Sequence, residues 1–382
     1  MNADFAARHW YRRSVLSIVL FPFSVVFGAL VALRRMLYRS GALVSVRLPV
    51  PVIVVGNLTV GGTGKTPLVI ALVRALAELG HAPGIVCRGY GGDASRSHAA
   101  PRPARPGGAS QEVGDEALLL AERTGCPVWV ARDRAAAASA LLAADPRCDL
   151  IVCDDGLQHY RLQRDVEIAV EDQRGHGNGL MLPAGPLREP AGRPVDALVI
   201  NCDPAGGGNE NTPAHHRPSR HAGAPAVFRM RLVPAGLFRV GSNAGPVDPA
   251  ELAGKRIHAV AGIGNPQRFF LTLEALGLSF TRHPFPDHHR FAPDDLRLPA
   301  CDVIVMTEKD AVKCRTFARD DLVALRVEAV IDASFIQTLR TWIHGRAPAR
   351  YSGLSDLQRP AGLSQKREGT RLPAGSPRLS DP

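Results

Sequence analysis

Lys65 and Thr66 close a run, Thr59-Val60-Gly61-Gly62-Thr63-Gly64-Lys65-Thr66, with the composition of a phosphate-binding loop. The usual pattern is G-x-x-x-x-G-K-[ST]. Gly64, Lys65 and Thr66 fit its end, and Thr59 stands where the first glycine belongs. Glycines let the backbone approach phosphate oxygens, and a helix N-terminus behind them adds positive potential. Lys65 can reach the β- and γ-phosphates of a nucleotide, and Thr66 can ligate Mg²⁺. The metal also needs a carboxylate at a neighbouring strand end. "LIVCDDG" supplies Asp154 and Asp155 after four apolar residues.

The acceptor side is carried by two further stretches. "VGDEALL" places Asp115 and Glu116 at a helix start. One reading is helix capping; the other is a base that orients a hydroxyl nucleophile. Glu116 joins Asp154 and Asp155 as a metal candidate. "FPDHHRF" brings Asp287, His288 and His289, and a histidine donating to a carboxylate is a common general-base pair. A metal site is the rival reading. Mg²⁺ prefers oxygen ligands, and the cysteines show no zinc spacing.

These residues need a scaffold. "VPVIVVGN" is a β-rich run that leads into the glycine-rich loop, and "TPLVIALVRALAELG" reads as the helix after it, with Pro67 in its first turn and Gly80 as its stop. "PGIVC", "CPVWVA" and "CDLIVCDD" read as strands, and "DEALLLAERTG" and "RAAAASALLAA" as helices. Such alternation predicts an α/β fold with a mostly parallel sheet covered on both faces. Residues 203–225 are rich in Gly, Pro and His and read as a flexible insertion. "AVFRMRLVPAGLFRV" alternates around Pro-Ala-Gly and predicts a hairpin. From Lys255 the alternation resumes as a second, smaller α/β domain, with "CDVIVMTEKD" and "LVALRVEAVID" among its strands. Gly262 and Gly264 form a lone G-x-G, with no dinucleotide role. The expected organisation is an N-terminal helix (1–40), a P-loop domain (41–225), a hairpin linker (226–254), a second domain (255–345) and a disordered tail (346–382).

Residues 14–33 carry no charge, with Arg12 and Arg13 before and Arg34, Arg35 and Arg39 after. About 20 apolar residues span a bilayer as a helix, and Pro22 would kink this one. A signal peptide lacks a clear cleavage site here. A buried helix and a membrane anchor both remain, and the basic flanks favour the anchor, facing anionic headgroups. Across the 382 residues, 46 Lys plus Arg against 36 Asp plus Glu give a net charge of +10, which favours anionic partners. Seven scattered cysteines without C-x-x-C argue against a disulfide framework and for a reducing compartment.

Taken in order, "GNLTVGGTGKTP", "RGYGG", "VGDEALLLA", "DDGLQHYRLQRD", "LPAGPLREP", "FPDHHRF" and "MTEKDAVK" resemble the lipid A 4′-kinase, or tetraacyldisaccharide 4′-kinase, family. The resemblance runs from about residue 10 to 345. It implies a P-loop fold that moves the γ-phosphate of ATP, with Mg²⁺, to the 4′-hydroxyl of an acylated glucosamine disaccharide 1-phosphate, giving lipid IVA. It also implies work at the cytoplasmic face of the inner membrane. By the same resemblance Lys65 and Thr66 serve nucleotide and metal. Asp115 is the base, paired with His288, and Asp154 and Asp155 serve the metal. Tyr90, Gln158, His159, Arg188 and Glu189 line the acceptor pocket. A GTPase fits poorly, because "TEKD" lacks the guanine-recognition spacing. A partition-type ATPase would start its loop Lys-Gly-Gly. Nucleic acid is not an expected partner, since no recognition motif accompanies the basic charge.

Overall fold

The structure, a computed structural model, describes residues 9–96, 99–202, 225–241, 246–317 and 319–346. The insertion expected at 203–225, save its last residue, and the tail beyond 346 lie outside them. All seven cysteines are free.

Helix α1 (Val15–Arg39) precedes β1 (Val52–Gly56), and α2 (Lys65–Glu78) follows the glycine-rich loop. Next come β2 (Pro83–Cys87), β3 (Arg102–Ala104), α3 (Ser110–Val113), α4 (Asp115–Thr124) and β4 (Val128–Val130). After them stand α5 (Arg134–Ala144), β5 (Leu150–Asp154), β6 (Val166–Asp172), β7 (Ala197–Cys202) and β8 (Ala226–Arg239). The remainder holds β9 (Pro246–Val247), β10 (Ile257–Ala261), α6 (Pro266–Ala275), β11 (Phe280–Pro284), β12 (Val303–Thr307), α7 (Glu308–Cys314), β13 (Leu322–Ile331) and α8 (Ala333–Arg346).

The strands join into one sheet in the order β11-β10-β12-β13-β8-β7-β6-β1-β5-β2-β4-β3, with β9 beside β8. Among the described residues its pairings are parallel except β8–β13, β3–β4 and β8–β9. Strands β1 and β5 are buried along their whole length, as their unbroken apolar runs require. Leu68, Leu72 and Leu76, four apart on α2, lie fully buried against them. Each such leucine stabilises by roughly 1.5–3 kcal/mol relative to exposure. Strand β1 therefore sits mid-sheet, and the loop leaving its C-terminal edge is held by a rigid core.

Two expectations change. The hairpin predicted over 226–240 is a single strand, β8, which pairs with β7 in its first part and with β13 in its second. The Pro-Ala-Gly signal is absorbed as a bulge: Gly236 opposes Arg326, Pro234 opposes Val327, and Ala235 is the extra residue. "CDVIVMTEKD" is strand only as far as Thr307. The Thr307 side chain accepts from the Asp310 N–H and starts α7 there, so the T-x-x-D spacing was a capping signal.

Helix α1 buries two serines and exposes most of its apolar side chains. Ser17 and Ser24 are buried, while Val15, Ile18, Val19, Phe23, Val26 and Leu30 are exposed. Ser24 Oγ donates to the Met181 carbonyl (2.8 Å) and accepts from the Ala184 N–H (2.9 Å). Trp10 donates to the Pro183 carbonyl at 3.0 Å. The reading as a buried core helix is thereby excluded.

Candidate active site

The loop between β1 and α2 is shaped by two close approaches. Gly64 has φ 94°, which a side chain resists. A Cβ there would also lie 2.6 Å from Asn201 Nδ2, which donates to the Thr63 carbonyl at 2.9 Å. Thr59 replaces the expected glycine without strain. It is buried and makes a strand-like bridge with Leu187, and the next N–H, of Val60, donates to the Pro186 carbonyl. Lys65 Nζ donates to Asn57 Oδ1 (3.2 Å) and stands 3.5 Å from Asp155 Oδ1. Arg174 braces the loop from outside, donating to the Gly62 carbonyl at 2.8 Å while Asp172 holds its guanidinium.

The two adjacent aspartates at the end of β5 differ in environment. Burial raises the Asp155 pKa, but Lys65 and Arg188 outweigh it, and its carboxyl falls far below the usual range. Arg188 Nη1 is 3.1 Å from Asp155 Oδ2. Asp154 is buried, and burial first, then Glu116, pushes it up to about 7. Its Oδ1 has no hydrogen-bond partner. Among the described residues no group of three or more His, Cys, Asp or Glu is placed to hold a metal ion. A buried carboxylate oxygen without a donor, beside a second carboxylate, is nevertheless a donor set suited to a hard cation. Mg²⁺ commonly takes only one or two carboxylates and completes its shell with phosphate and water.

Asp115 and His288 are brought together. Asp115 opens α4 directly after Gly114, and its Oδ1 accepts from the Glu116 N–H at 2.9 Å. His288 lies beyond β11 with φ 60°, an uncommon conformation for a non-glycine residue. Its Nδ1 is 3.3 Å from Asp115 Oδ1. Burial lowers the His288 pKa and Asp115 raises it, and the balance lies above the ordinary value. Burial likewise raises Asp115, but His288, Lys309 and Lys313 draw it down to about 2. Lys309 Nζ stands 2.9 Å from Glu116 Oε1 and 3.3 Å from His288 Nε2. An ammonium only donates, so in the neutral imidazole Nε2 accepts and Nδ1 carries the proton towards Asp115. His289 instead pairs with Asp295 at 2.9 Å and packs against the rings of Phe285 and Phe291.

One cavity of about 1050 Å³ joins these parts. Residues 60–66, Tyr90, Glu116, Asp154, Asp155, Gln158, Arg188, Glu189, His288 and Lys309 line it, and so do Phe27, Val31 and Arg34 of α1. Of the residues singled out from sequence, Thr59, Asp115, His159 and His289 do not. Thr59 and Asp115 lie behind the lining. His159 turns away: its Nε2 accepts from the Arg134 N–H at 3.2 Å, at the start of α5. Burial, then Arg134, lowers its pKa to about 4. Glu189 touches the cavity but is pinned by Arg193 (2.5 Å) and the Tyr160 hydroxyl (2.8 Å). Sequence reasoning missed Lys309, Asn57, Asn201 and Arg174. Lys309 lay within "MTEKDAVK", read as a strand end, a motif of the resemblance and a failed guanine-recognition spacing but given no role of its own, and Asn57 stood next to the loop.

A family model described as tetraacyldisaccharide-1-P 4′-kinase matches residues 16–344. The chain belongs to the tetraacyldisaccharide 4′-kinase family. It is 47% identical to the tetraacyldisaccharide 4′-kinase of Methylobacillus flagellatus over 335 residues, covering 87% of this chain and 93% of that one. It is 48% identical to the enzyme of the same name from Azoarcus sp. (strain BH72) over 347 residues, 90% and 97% of the two chains. Among solved structures it resembles the "apo" form of LpxK from Aquifex aeolicus in complex with ATP, with TM-score 0.69 and 27% identity over 87% of this chain and all of that one. The family motifs thus fall on one cavity of one sheet. The β1–α2 loop lines one part of it, and Glu116 of α4 and His288 of the loop after β11 line another.

Proposed function

We propose that the chain transfers the γ-phosphate of ATP to the 4′-hydroxyl of a tetraacylated glucosamine disaccharide 1-phosphate, giving lipid IVA. The observation that supports it most is the shared cavity: the phosphate loop, His288 and the inner face of an apolar helix line the same space. A soluble sugar would need no such helix beside its kinase site.

Lys65 balances charge on the β/γ oxygens, as the loop's ammonium does in such sites. Thr66, Asp154 and Glu116 are the residues that would hold Mg²⁺, with Asp155 tied to Lys65 and Arg188 beside them. When bound, the metal supplies positive charge to the transferring phosphoryl group. Asp115 and His288 act as one base: His288 lines the cavity and orients the acceptor hydroxyl, and the pair takes its proton. Proton acceptance is late in a loose phosphoryl transfer, so the pair's first task is to orient the hydroxyl. Tyr90, whose ring is 4.7 Å from that of His288, and Gln158 contact the sugar. Residues 41–225 thus act as the nucleotide half and 255–345 as the half that completes the acceptor site. We place the protein on the cytoplasmic face of the inner membrane, with α1 against the headgroups and its exposed apolar side in the acyl layer.

The test incubates purified protein with labelled ATP and a set of acylated disaccharides and identifies the phosphorylated position. Label at the 4′ position only of the 1-phosphorylated, tetraacylated acceptor is expected. Transfer to non-acylated sugars at equal rate would overturn the acceptor assignment.

A further inference from the structure

We propose that Arg268 is a second cation for the triphosphate, delivered to the phosphate loop from the other half of the sheet. The inference rests on the kinase reading above and assigns a residue to its nucleotide side.

The placement is built by a close backbone approach. The Gly262–Asn265 segment leaves β10 and crosses the glycine-rich loop. A Cβ built on Gly62 would find Gly264 Cα at 3.7 Å, and one built on Gly264 would meet the Gly62 nitrogen at 2.6 Å. Helix α6 begins at Pro266, so Arg268 stands in its first turn, just past that contact. Its side chain lines the cavity and is largely buried, and its Nη2 is 3.8 Å from Asp172 Oδ2. The shorter contacts of Asp172 go to Arg174, at 2.7 Å, and Arg174 in turn donates to the Gly62 carbonyl. Arg268 is therefore tied to the loop along two routes, through Gly264 and through Asp172.

Three other cations of the cavity are held by carboxylates. Arg123 lies 2.5 Å from Glu308, Lys309 2.9 Å from Glu116 and Arg188 3.1 Å from Asp155. Arg268 enters the same cavity from the first turn of α6, just past the Gly264–Gly62 contact. A planar guanidinium can bridge two phosphate oxygens at once. In the step itself the bond from the γ-phosphorus to the β–γ bridging oxygen breaks. A bond to the acceptor oxygen forms, the acceptor proton goes to the dyad, and ADP leaves. Arg268 stays unchanged and offsets negative charge on the γ and bridging oxygens, as an arginine supplied in cis does in other phosphoryl-transfer sites.

The experiment measures ATP and ADP affinity by calorimetry and transfer kinetics for wild type, Arg268→Ala and Arg268→Lys, with folding checked by circular dichroism. Arg268→Ala should lower kcat on the order of 10²-fold or weaken ATP binding far more than ADP binding. Arg268→Lys should recover part of the loss. Unchanged kcat and ATP affinity in a folded Arg268→Ala protein would overturn the proposal. Equal weakening of ATP and ADP would overturn the γ-phosphate assignment. If Arg268→Ala fails to fold, Arg268→Lys decides: ATP and ADP weakened alike count against the proposal. The affinity arm needs no acceptor, so a wrong acceptor assignment and a wrong role for Arg268 give different results.

Discussion

Gly264→Ala isolates the contact that joins the two halves of the site. No left-handed φ is needed at Gly264, so alanine suits its backbone and only space is tested. The new Cβ would lie 2.6 Å from the Gly62 nitrogen, 3.2 Å from Asp287 Oδ2 and 3.3 Å from Gly62 Cα. Ordinary contact begins near 3.4 Å, so the two backbones must part by roughly 0.8 Å. The Asp287 carboxylate can swing aside, but the closest conflict is with the Gly62 backbone, so the glycine-rich loop must move as a piece. Misplacement on the order of 1 Å can cost 10²-fold in rate. We expect kcat/KM for ATP to fall by about 10- to 100-fold in a protein that still folds. Gly262→Ala meets Asp310 Oδ1 at 3.1 Å, a tight but smaller conflict, and should lose less. Gly192→Ala has nothing within 4 Å of its Cβ and should match wild type. Steady-state kinetics on the three variants, with circular dichroism as the folding control, make the comparison. Wild-type kcat/KM in Gly264→Ala, or an equal loss in Gly192→Ala, would refute the reasoning.

Lys65→Ala should lower transfer on the order of 10²-fold or more, because it removes the ammonium held between Asn57 and Asp155; near-normal turnover would remove the phosphate-loop role. Asp115→Asn and His288→Ala should each cut transfer severely with ATP affinity nearly kept, and the double variant should lose far less than the product of the two. Strict multiplication would show that the 3.3 Å pair does not act as a unit. His159 is held neutral in the fold, with its pKa lowered from 6.5 to about 4. The folded state therefore binds fewer protons than the unfolded one between those values, and the stability present above pH 6.5 is lost as pH falls towards 4. In chemical denaturation from pH 7.5 to 4, His159→Gln should lose less stability than wild type; parallel curves would count against it.

The sequence carried the scaffold of the nucleotide side almost whole. Strand β1, its loop, α2 and the β5 aspartates are contiguous or end at punctuated boundaries, so period and turn chemistry suffice to place them. The dyad was legible as residue types but not as a choice. His288 and His289 are adjacent, and only the fold turns one to Asp115 and the other to Asp295. The same limit explains His159, whose neighbour Gln158 does reach the cavity. Residue type gave both a polar character, and the turn after β5 decided which one faced inward. The bracing residues are further from reach. Arg174 and Asn201 act on loop carbonyls more than 100 positions away. No local pattern encodes such a pairing. Strand β8 was misread because Pro-Ala-Gly marks a turn in isolation, whereas here β13 supplies a partner for both sides of a bulge.

Helix α1 poses the question of how a 25-residue apolar helix meets a membrane. At 1.5 Å per residue it is about 37 Å long, enough to span. Its contacts argue otherwise. Ser17 and Ser24 are buried against the body of the protein, and Phe27, Val31 and Arg34 line the cavity further along. Attachment over that length keeps the axis beside the catalytic face. A spanning helix would have to leave it and strand Ser24, the Met181 carbonyl and the Ala184 N–H without their partners. Unpaired polar groups in hydrocarbon cost several kcal/mol each. The helix should therefore lie in the interface, apolar side down. Spin labels on single cysteines at Val15, Val26 and Met36, all exposed, distinguish the two in vesicles. An interfacial helix puts the three at similar shallow depth. A spanning helix puts position 26 deepest, with 15 and 36 near opposite surfaces, and that profile would sink the docked arrangement.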